Sequence, residues 1–228
     1  MIEVLQLESS EYMVDSKKWD MIIKEFLDYH MDEEMLRLGY KRRKTSLKYE
    51  RKVDETKQII EIVRHFNPSY KKDSDVHIYP MVQIENFKIS SIALDMVGNV
   101  ELLSNSPEVI IRQPIDLLAP KEYRNQWYVS GEDQLVTTLK EIKGFVLNWV
   151  IVFLDQYSSP EGIVKGYREN DSRPANTERW YIYVAASYYC LGDLKGALNV
   201  LKEEFNSLGK QKRYSNAFDY LVSRLEME

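Results

Sequence analysis

The sequence predicts an α+β protein: an antiparallel sheet of four to six strands, covered by helices and followed by a C-terminal helical hairpin plus one further helix. Three observations lead to this prediction. Toward both ends of the chain, apolar residues recur every three or four positions. In the middle of the chain, they recur every second position. The connectors between the middle segments are too short for crossover helices, so the strands are expected to pair antiparallel, in an order left open.

The first predicted element is a helix that begins at Ser16. Its apolar stripe has helical spacing and consists of Trp19, Ile23, Phe26, Leu27, Met31, Met35 and Leu38. Gly39 is expected to terminate this helix, because glycine readily adopts the left-handed conformation found there. The first fifteen residues are compatible with either a short strand or a loose arm.

Six segments are predicted as strands, namely 41–50, 58–66, 76–87, 89–97 and the weaker candidates 109–111 and 126–129. Residues 52–57 are polar and are predicted to be a connector. Pro80 lacks a backbone N–H, so the third strand is expected to lie at a sheet edge or to carry a bulge.

A helix is predicted over residues 131–157, where Ser130-Gly131-Glu132-Asp133 has the form of a capping box. Between residues 145 and 154 only Asn148 is polar, so this half of the helix is expected to be buried on all sides. Residues 166–177 are polar and are predicted to be a linker. It would divide a sheet domain (1–165) from a helical extension (166–228) packed on or beside it, with helices at 177–191, 194–207 and 214–226.

The composition of the 228-residue chain excludes several classes of protein. Hydrophobic residues make up 44% and charged residues 29%, which is typical of a globular protein. The single cysteine, Cys190, cannot form an internal disulfide and is expected to be a packing residue. The chain begins without a signal-peptide pattern, and its apolar runs, such as 150–154, are too short to span a membrane. We therefore expect a cytoplasmic protein without a membrane partner.

A basic segment lies within this acidic chain, whose net charge is −5. Residues 1–36 carry 3 basic and 10 acidic side chains, whereas residues 37–72 carry 12 basic and 4 acidic ones. The candidate residues for binding a partner or an anion are Lys41, Arg42, Arg43, Lys44, Lys48 and Arg51. The alternative is a solvated strand face whose charges are neutralised by nearby acids.

No short catalytic or cofactor motif is present, so neither a catalytic residue nor a cofactor is predicted. The nine glycines form no phosphate-binding loop, and no nucleophile elbow or zinc-protease motif occurs. His65 and His77 fall on consecutive predicted strands and are the weak candidates for a site. With a carboxylate such as Glu61 or Glu85, they could form a metal site or an acid–base pair.

Two parts of the chain resemble known patterns. Leu36, Gly39, Tyr40, Lys41 and Arg42 are similar to the helix-ending motif Leu-x-x-x-Gly-Phe-Lys-Arg of an uncharacterised bacterial domain family, in which antiparallel strands and a helix follow; the similarity covers about residues 16–160. The predicted hairpin after residue 177 resembles a single tetratricopeptide repeat, through Ala185, Tyr188, Gly192, Leu194 and Ala197. The first resemblance implies no assigned activity, and the second implies close helix packing.

These features favour a non-enzymatic bacterial module that binds another protein, for example an immunity protein that blocks a toxin. Sixteen tyrosines and four tryptophans agree with this hypothesis, because such side chains are enriched at protein interfaces. One alternative is an enzyme whose site residues are dispersed along the chain. Another is a nucleic-acid binder that uses the basic segment 41–52, although the sequence pI of about 5.4 is low for that class. The oligomeric state is left open.

Overall fold

A computed structural model describes residues 15–175 and 177–227, and within them the α+β prediction is confirmed. Of the first fifteen residues, for which a short strand or a loose arm was predicted, 1–14 lie outside the described residues, and Asp15 caps the first helix. The strands are β1 (Lys41–Arg42), β2 (Lys48–Val53), β3 (Thr56–Glu61), β4 (Arg64–Phe66), β5 (Val76–Ile78), β6 (Met81–Asn86), β7 (Val109–Pro114) and β8 (Trp127–Val129). They form two antiparallel sheets, a larger one with the order β1-β2-β3-β6-β7 and a smaller one with the order β4-β5-β8.

The helices precede, interrupt and follow these strands. They are α1 (Ser16–His30), α2 (Asp32–Arg37), α3 (Phe87–Val97), α4 (Glu132–Phe145), α5 (Ile151–Gln156), α6 (Pro160–Arg168), α7 (Glu178–Cys190), α8 (Leu194–Glu204), α9 (Leu208–Arg213) and α10 (Ser215–Leu225). A π-helical turn over Val146–Val150 joins α4 to α5. None of the helices in the described ranges is long and apolar enough to cross a membrane.

One long β-hairpin contributes to both sheets. β3 and β6 pair in the larger sheet, while the continuations of the same two chain segments, β4 and β5, pair in the smaller one. The change of sheet occurs at Pro80, whose carbonyl accepts a hydrogen bond from the Ile115 N–H at 2.9 Å. The predicted strand 76–87 is interrupted at Pro80, as expected. Of the two alternatives offered for this strand, the position at a sheet edge is wrong, since β5 and β6 are both interior strands.

The predicted strand 89–97 is wrong, because these residues form α3. The Asn86 side chain accepts a hydrogen bond from the Ile89 N–H at 2.9 Å, which caps the helix, and Gly98 ends it in a left-handed conformation with φ 64°. Its buried residues include Ile89, Ala93 and Met96, at steps of four and three. The same segment therefore contains a helical period that the alternation of Ile92, Leu94 and Met96 concealed.

The basic segment forms a hairpin rather than one continuous strand. β1 pairs with β2, placing Lys41 opposite Glu50, and residues 43–47 form the turn. The predicted connector 52–57 is also wrong, because β2 extends to Val53 and β3 starts at Thr56. The turn between them needs only two residues, because Asp54 adopts a positive φ of 50°.

The N-terminal helix follows its prediction except for a break. Its apolar stripe is buried from Trp19 to Met35, and the helix is interrupted at Met31, between α1 and α2. Gly39 has a φ of 85° and ends the second helix, as expected.

The helix predicted over 131–157 is present as α4, the π-turn and α5, with two differences. Gly131 is the N-cap and provides no side-chain cap, while the Gln134 side chain accepts from the Ser130 N–H at 3.1 Å, so the predicted capping box is wrong. Burial on all sides is also wrong, because Asn148 is exposed and Val152 is 58% exposed. The other apolar residues of this half pack inward as one face.

The C-terminal helices lie in the same hydrophobic cluster as the sheet-covering helices. α7 and α8 form an antiparallel hairpin, with Gly192 at a positive φ of 76° between them. Residues 166–168 belong to α6, so the predicted linker is shorter than expected. Its remainder is anchored, since Arg173 pairs with Asp171 at 2.6 Å and Gln113 Nε2 donates to the Arg173 carbonyl at 2.7 Å. Cys190 is half-buried, and burial raises the pKa of its thiol.

Candidate functional site

The Arg42 guanidinium is enclosed by the protein. Its side chain is 1% exposed and pairs with Asp28 and Asp32 of the first two helices, the latter through a bidentate contact at 2.9 and 2.8 Å. Tyr49 donates to the same Asp32 carboxylate at 2.6 Å. Burial alone would raise the pKa of Asp32, but the hydrogen bonds from Arg42 and Tyr49 outweigh it, so this pKa lies below its usual value.

Arg51 occupies a second internal network. Its guanidinium lies 4.5 Å from the centre of the Tyr40 ring, donates to Gln58 Oε1 at 2.9 Å and to the Leu38 carbonyl at 3.0 Å, and pairs with Asp155. Gln58 is fully buried and also donates to the Leu154 carbonyl at 2.8 Å. Arg51 thus links the larger sheet to α2 and α5.

The other candidate cations remain at the surface. Lys48 pairs with Glu61 across β2 and β3 at 3.2 Å. Lys41, Arg43 and Lys44 are exposed and form no ion pair with any residue in the described ranges. The structure therefore divides the six candidate residues, with the two arginines Arg42 and Arg51 held by carboxylates of the same chain and the remaining four on the surface.

The two candidate histidines lie side by side on the smaller sheet. His65 of β4 is directly opposite His77 of β5, and His77 is directly opposite Tyr128 of β8, so the three form one row across the sheet. Their strand neighbours Val76, Ile78 and Val129 are buried. Because successive side chains of a strand point to opposite faces, the row belongs to the outer face of this sheet.

Tyr70, from the loop between β4 and β5, joins the two histidines. Its hydroxyl lies 3.3 Å from His65 Nδ1 and 2.9 Å from His77 Nδ1. The Tyr70 side chain is 57% exposed. The His77 ring stacks on Tyr128 with centroids 4.3 Å apart, and Tyr79 lies 5.1 Å from His77 on the same strand segment. We call His65, Tyr70, His77, Tyr79 and Tyr128 the aromatic face.

Two side chains of the aromatic face, His77 and Tyr70, have pKa values shifted in favour of their uncharged forms. Burial lowers the pKa of His77, and repulsion from His65 lowers it further, while attraction to Asp116 opposes both. Burial in turn raises the pKa of Asp116. Partial burial and the neighbouring Tyr128 and Tyr79 raise the pKa of Tyr70, so its hydroxyl is protonated.

The carboxylates proposed from the sequence are engaged elsewhere. Glu61 pairs with Lys48 at 3.2 Å, and Glu85 accepts from Gln83 at 2.5 Å. The proximity of His65 and His77 was inferred from the sequence, but the parts played by Tyr70, Tyr128 and Asp116 were not. Only the cross-strand register could have identified Tyr128, because it is about fifty residues away along the chain.

The usual cluster of metal-binding side chains is not found in the described ranges. No group of three or more histidine, cysteine, aspartate and glutamate side chains there is arranged to hold a metal ion. A depression of about 490 Å³ between α6, α7 and α8 is lined mainly by polar residues, among them Tyr167, Arg168 and Glu203, and neither histidine contributes to it. Another, of about 210 Å³, lies on the outer face of the larger sheet, where Lys48 pairs with Glu61 and Lys57 pairs with Glu50.

Comparison with known proteins supplies no relative for this chain. No protein-family model, no curated protein and no solved structure matches it. The resemblances to an uncharacterised bacterial domain family and to a tetratricopeptide hairpin therefore stay predictions.

Proposed function

We propose that this chain is a non-enzymatic, cytoplasmic protein-binding module whose partner docks on the aromatic face. The supporting observation is the row His65–His77–Tyr128, with Tyr70 covering it, on the outer side of the smaller sheet. An exposed tyrosine offers a large apolar area and a hydrogen bond at low entropic cost, which is why such residues are enriched among the energetically dominant contacts of interfaces.

The geometry of the face favours a folded partner surface over a small substrate. The aromatic side chains project from neighbouring strands and stack on one another, and the two depressions described above are lined by other residues. Small-molecule sites are usually concave and enclose most of the ligand. An interface centre, in contrast, needs only a few aromatic anchors surrounded by polar residues, here Lys72 and Asp73 of the covering loop.

The polarity of the face also defines the chemistry of the partner. Its imidazole and phenol groups can donate and accept hydrogen bonds, and its five residues include no carboxylate, lysine or arginine, so the complementary surface is apolar and hydrogen-bonding. The internal contacts of Arg42 and Arg51 weigh against a nucleic-acid function for the basic segment, because all five N–H donors of Arg42 and three of those of Arg51 are used within the chain. An immunity protein that covers a toxin's active site is one specific form of this proposal.

Site-specific photocrosslinking in cells of the source organism tests the proposal. A photoreactive phenylalanine analogue replaces Tyr70 or Tyr128 in turn, and the matched control carries it at Tyr29, a tyrosine of α1 that is 82% exposed. We expect the same discrete protein adduct from positions 70 and 128 and none from position 29. Equal adducts from all three positions, or no adduct from positions 70 and 128, would contradict the proposal.

The crosslinked partner, identified by mass spectrometry and purified, then provides a quantitative test. The Tyr70→Ala variant is expected to weaken its binding by at least tenfold, the loss typical of a central aromatic contact, which corresponds to about 1.4 kcal/mol. Tyr29→Ala is expected to leave the Kd unchanged. A gene for a secreted toxin beside the gene for this chain, with the toxin as the crosslinked partner, would support the immunity form.

A further inference from the structure

Three potential metal-ligand atoms converge at the centre of the aromatic face. His65 Nδ1 and His77 Nδ1 lie 3.3 and 2.9 Å from one shared atom, the Tyr70 hydroxyl oxygen. The two histidines occupy directly opposed positions on paired strands, so the backbone fixes the separation of their side chains. Tyr70 belongs to the nine-residue loop between β4 and β5 and is more than half exposed, which leaves the cluster accessible to a solvated ion.

These separations match the spacing of ligand atoms around a small divalent cation. Metal–nitrogen and metal–oxygen bonds of zinc are about 2.0–2.1 Å long, so two ligand atoms at tetrahedral or right angles to the metal are about 2.9–3.4 Å apart. The separations of 3.3 and 2.9 Å lie within this interval. Two of the three separations among the potential ligand atoms therefore already have the length that a shared metal ion requires.

We propose that His65, Tyr70 and His77 form a binding site for a divalent first-row transition-metal ion, tested here with Zn²⁺ and Cu²⁺. Neutral imidazole nitrogens suit these ions and not Mg²⁺ or Ca²⁺, which prefer oxygen ligands. The two Nδ1 atoms each donate a lone pair, Tyr70 loses its hydroxyl proton to solvent and binds as phenolate, and water fills the remaining position. Because its third ligand is a phenol, the site differs from the common metal sites that are built from histidine, cysteine and carboxylate side chains alone.

Tyr128 supports the proposed site from the neighbouring strand β8. The stacking of His77 on Tyr128 holds the imidazole plane in place. This inference does not depend on the proposed partner, because metal binding can be measured on the isolated protein.

Titration of the purified, chelator-treated protein with ZnCl₂ and CuSO₄ tests the site. We expect one ion per chain, a visible phenolate-to-copper charge-transfer band, and no binding of MgCl₂. His65→Gln and His77→Gln are expected to weaken binding at least tenfold each, while Tyr70→Phe abolishes the visible band and retains weaker binding. His30→Gln on α1 is the matched control and should behave like the unsubstituted protein.

Two further measurements make the outcome decisive. Far-UV circular dichroism of each metal-free variant establishes that it is folded. In the unsubstituted protein, substoichiometric Cu²⁺ should broaden backbone amide resonances around residues 63–80 and 127–129, but not those of α7–α10. Absence of binding, unchanged affinity in both histidine variants, or broadening of the α7–α10 resonances in place of those around the site would overturn the proposal.

Discussion

The two arginine networks and the aromatic face are built from similar side chains but differ in what surrounds them. Arg42 and Arg51 each combine with a buried tyrosine and a carboxylate, and both connect the larger sheet to helices. On the smaller sheet, His65 and His77 combine with Tyr70 and Tyr128, and Tyr70 remains more than half exposed. The first arrangement holds helices to a sheet, whereas the second is open to solvent.

This difference shows why cation-rich segments are poor guides to binding surfaces. A guanidinium whose donors are all used within the chain stabilises the fold and has none left for a partner. The aromatic row has the opposite property, since His65 and Tyr70 are exposed among the residues that the structure describes. Four experiments measure how far the two regions differ.

The largest expected effect is on the enclosed network of Arg42. Arg42→Met should lower the free energy of unfolding by about 3 kcal/mol, the lower end of the range for a broken buried pair, because Asp28 and Asp32 are each about a third exposed. Urea unfolding followed by tryptophan fluorescence measures this loss. The neighbouring exposed Arg43→Met should change stability by less than about 0.5 kcal/mol. Equal losses in the two variants would remove the distinction between them.

The next effect concerns Gln58, the buried amide of the Arg51 network. Gln58→Met should cost about 2 kcal/mol, because Arg51 Nε and the Leu154 carbonyl lose a partner in a site without water access. Gln83→Met, on the half-buried outer face of the same sheet, is the matched control and should cost much less. Similar chemical-denaturation midpoints for the two variants would contradict this expectation.

A smaller effect compares one tyrosine hydroxyl from each region. Tyr49→Phe removes a buried hydrogen bond to the Asp32 carboxylate and should cost about 1.5 kcal/mol. Tyr70→Phe removes a solvent-exposed hydroxyl and should change stability by less than about 0.5 kcal/mol. The same urea experiment measures both, and a larger loss at Tyr70 would mean that the aromatic face supports the fold.

The smallest effect is the response of the aromatic face to acid. Because the pKa of His77 in the folded protein lies below its ordinary value of 6.5, the unfolded chain binds this proton first as the pH falls. The free energy of unfolding should therefore decrease on acidification from pH 7 through about 6.5 to the lower folded pKa, and change no further from this group below it. The groups that face His77 are His65, Tyr70, Tyr79, Tyr128 and Asp116. In His77→Gln, the free energy of unfolding, measured by urea unfolding at each pH, should fall less steeply over this interval. An unchanged dependence on pH would assign the effect to other groups.

Much of the fold could be predicted from the sequence, because the spacing of apolar residues along the chain indicates which face of a helix or strand is buried. The stripe from Trp19 to Met35 has helical spacing and is buried as expected, and Gly39 ends the helix in the conformation that glycine favours. The segment 89–97 shows the limit of this reasoning. Its apolar residues satisfy both a two-residue and a three-to-four-residue period, and the side-chain cap from Asn86 favours the helix.

The candidate site was harder to predict from the sequence, because the pairing of strands and the choice of ion-pair partners involve residues far apart along the chain. The sequence placed His65 and His77 on consecutive strands, and their pairing follows from the hairpin. Whether a lysine or arginine of residues 41–52 would be free depended on where Asp28, Asp32 and Asp155 came to lie. Tyr128 reached the same row only because β8 pairs with β5.

The sequence by itself determined where this chain is helical and where it is extended in most of its length, since both periods are local properties of apolar spacing. It also determined that the chain would combine an antiparallel sheet with covering helices. The tertiary structure alone decided which charges are neutralised and which aromatic rings meet at the surface. Those outcomes depend on contacts between residues more than 100 positions apart, such as Arg51 and Asp155, and no local pattern encodes them.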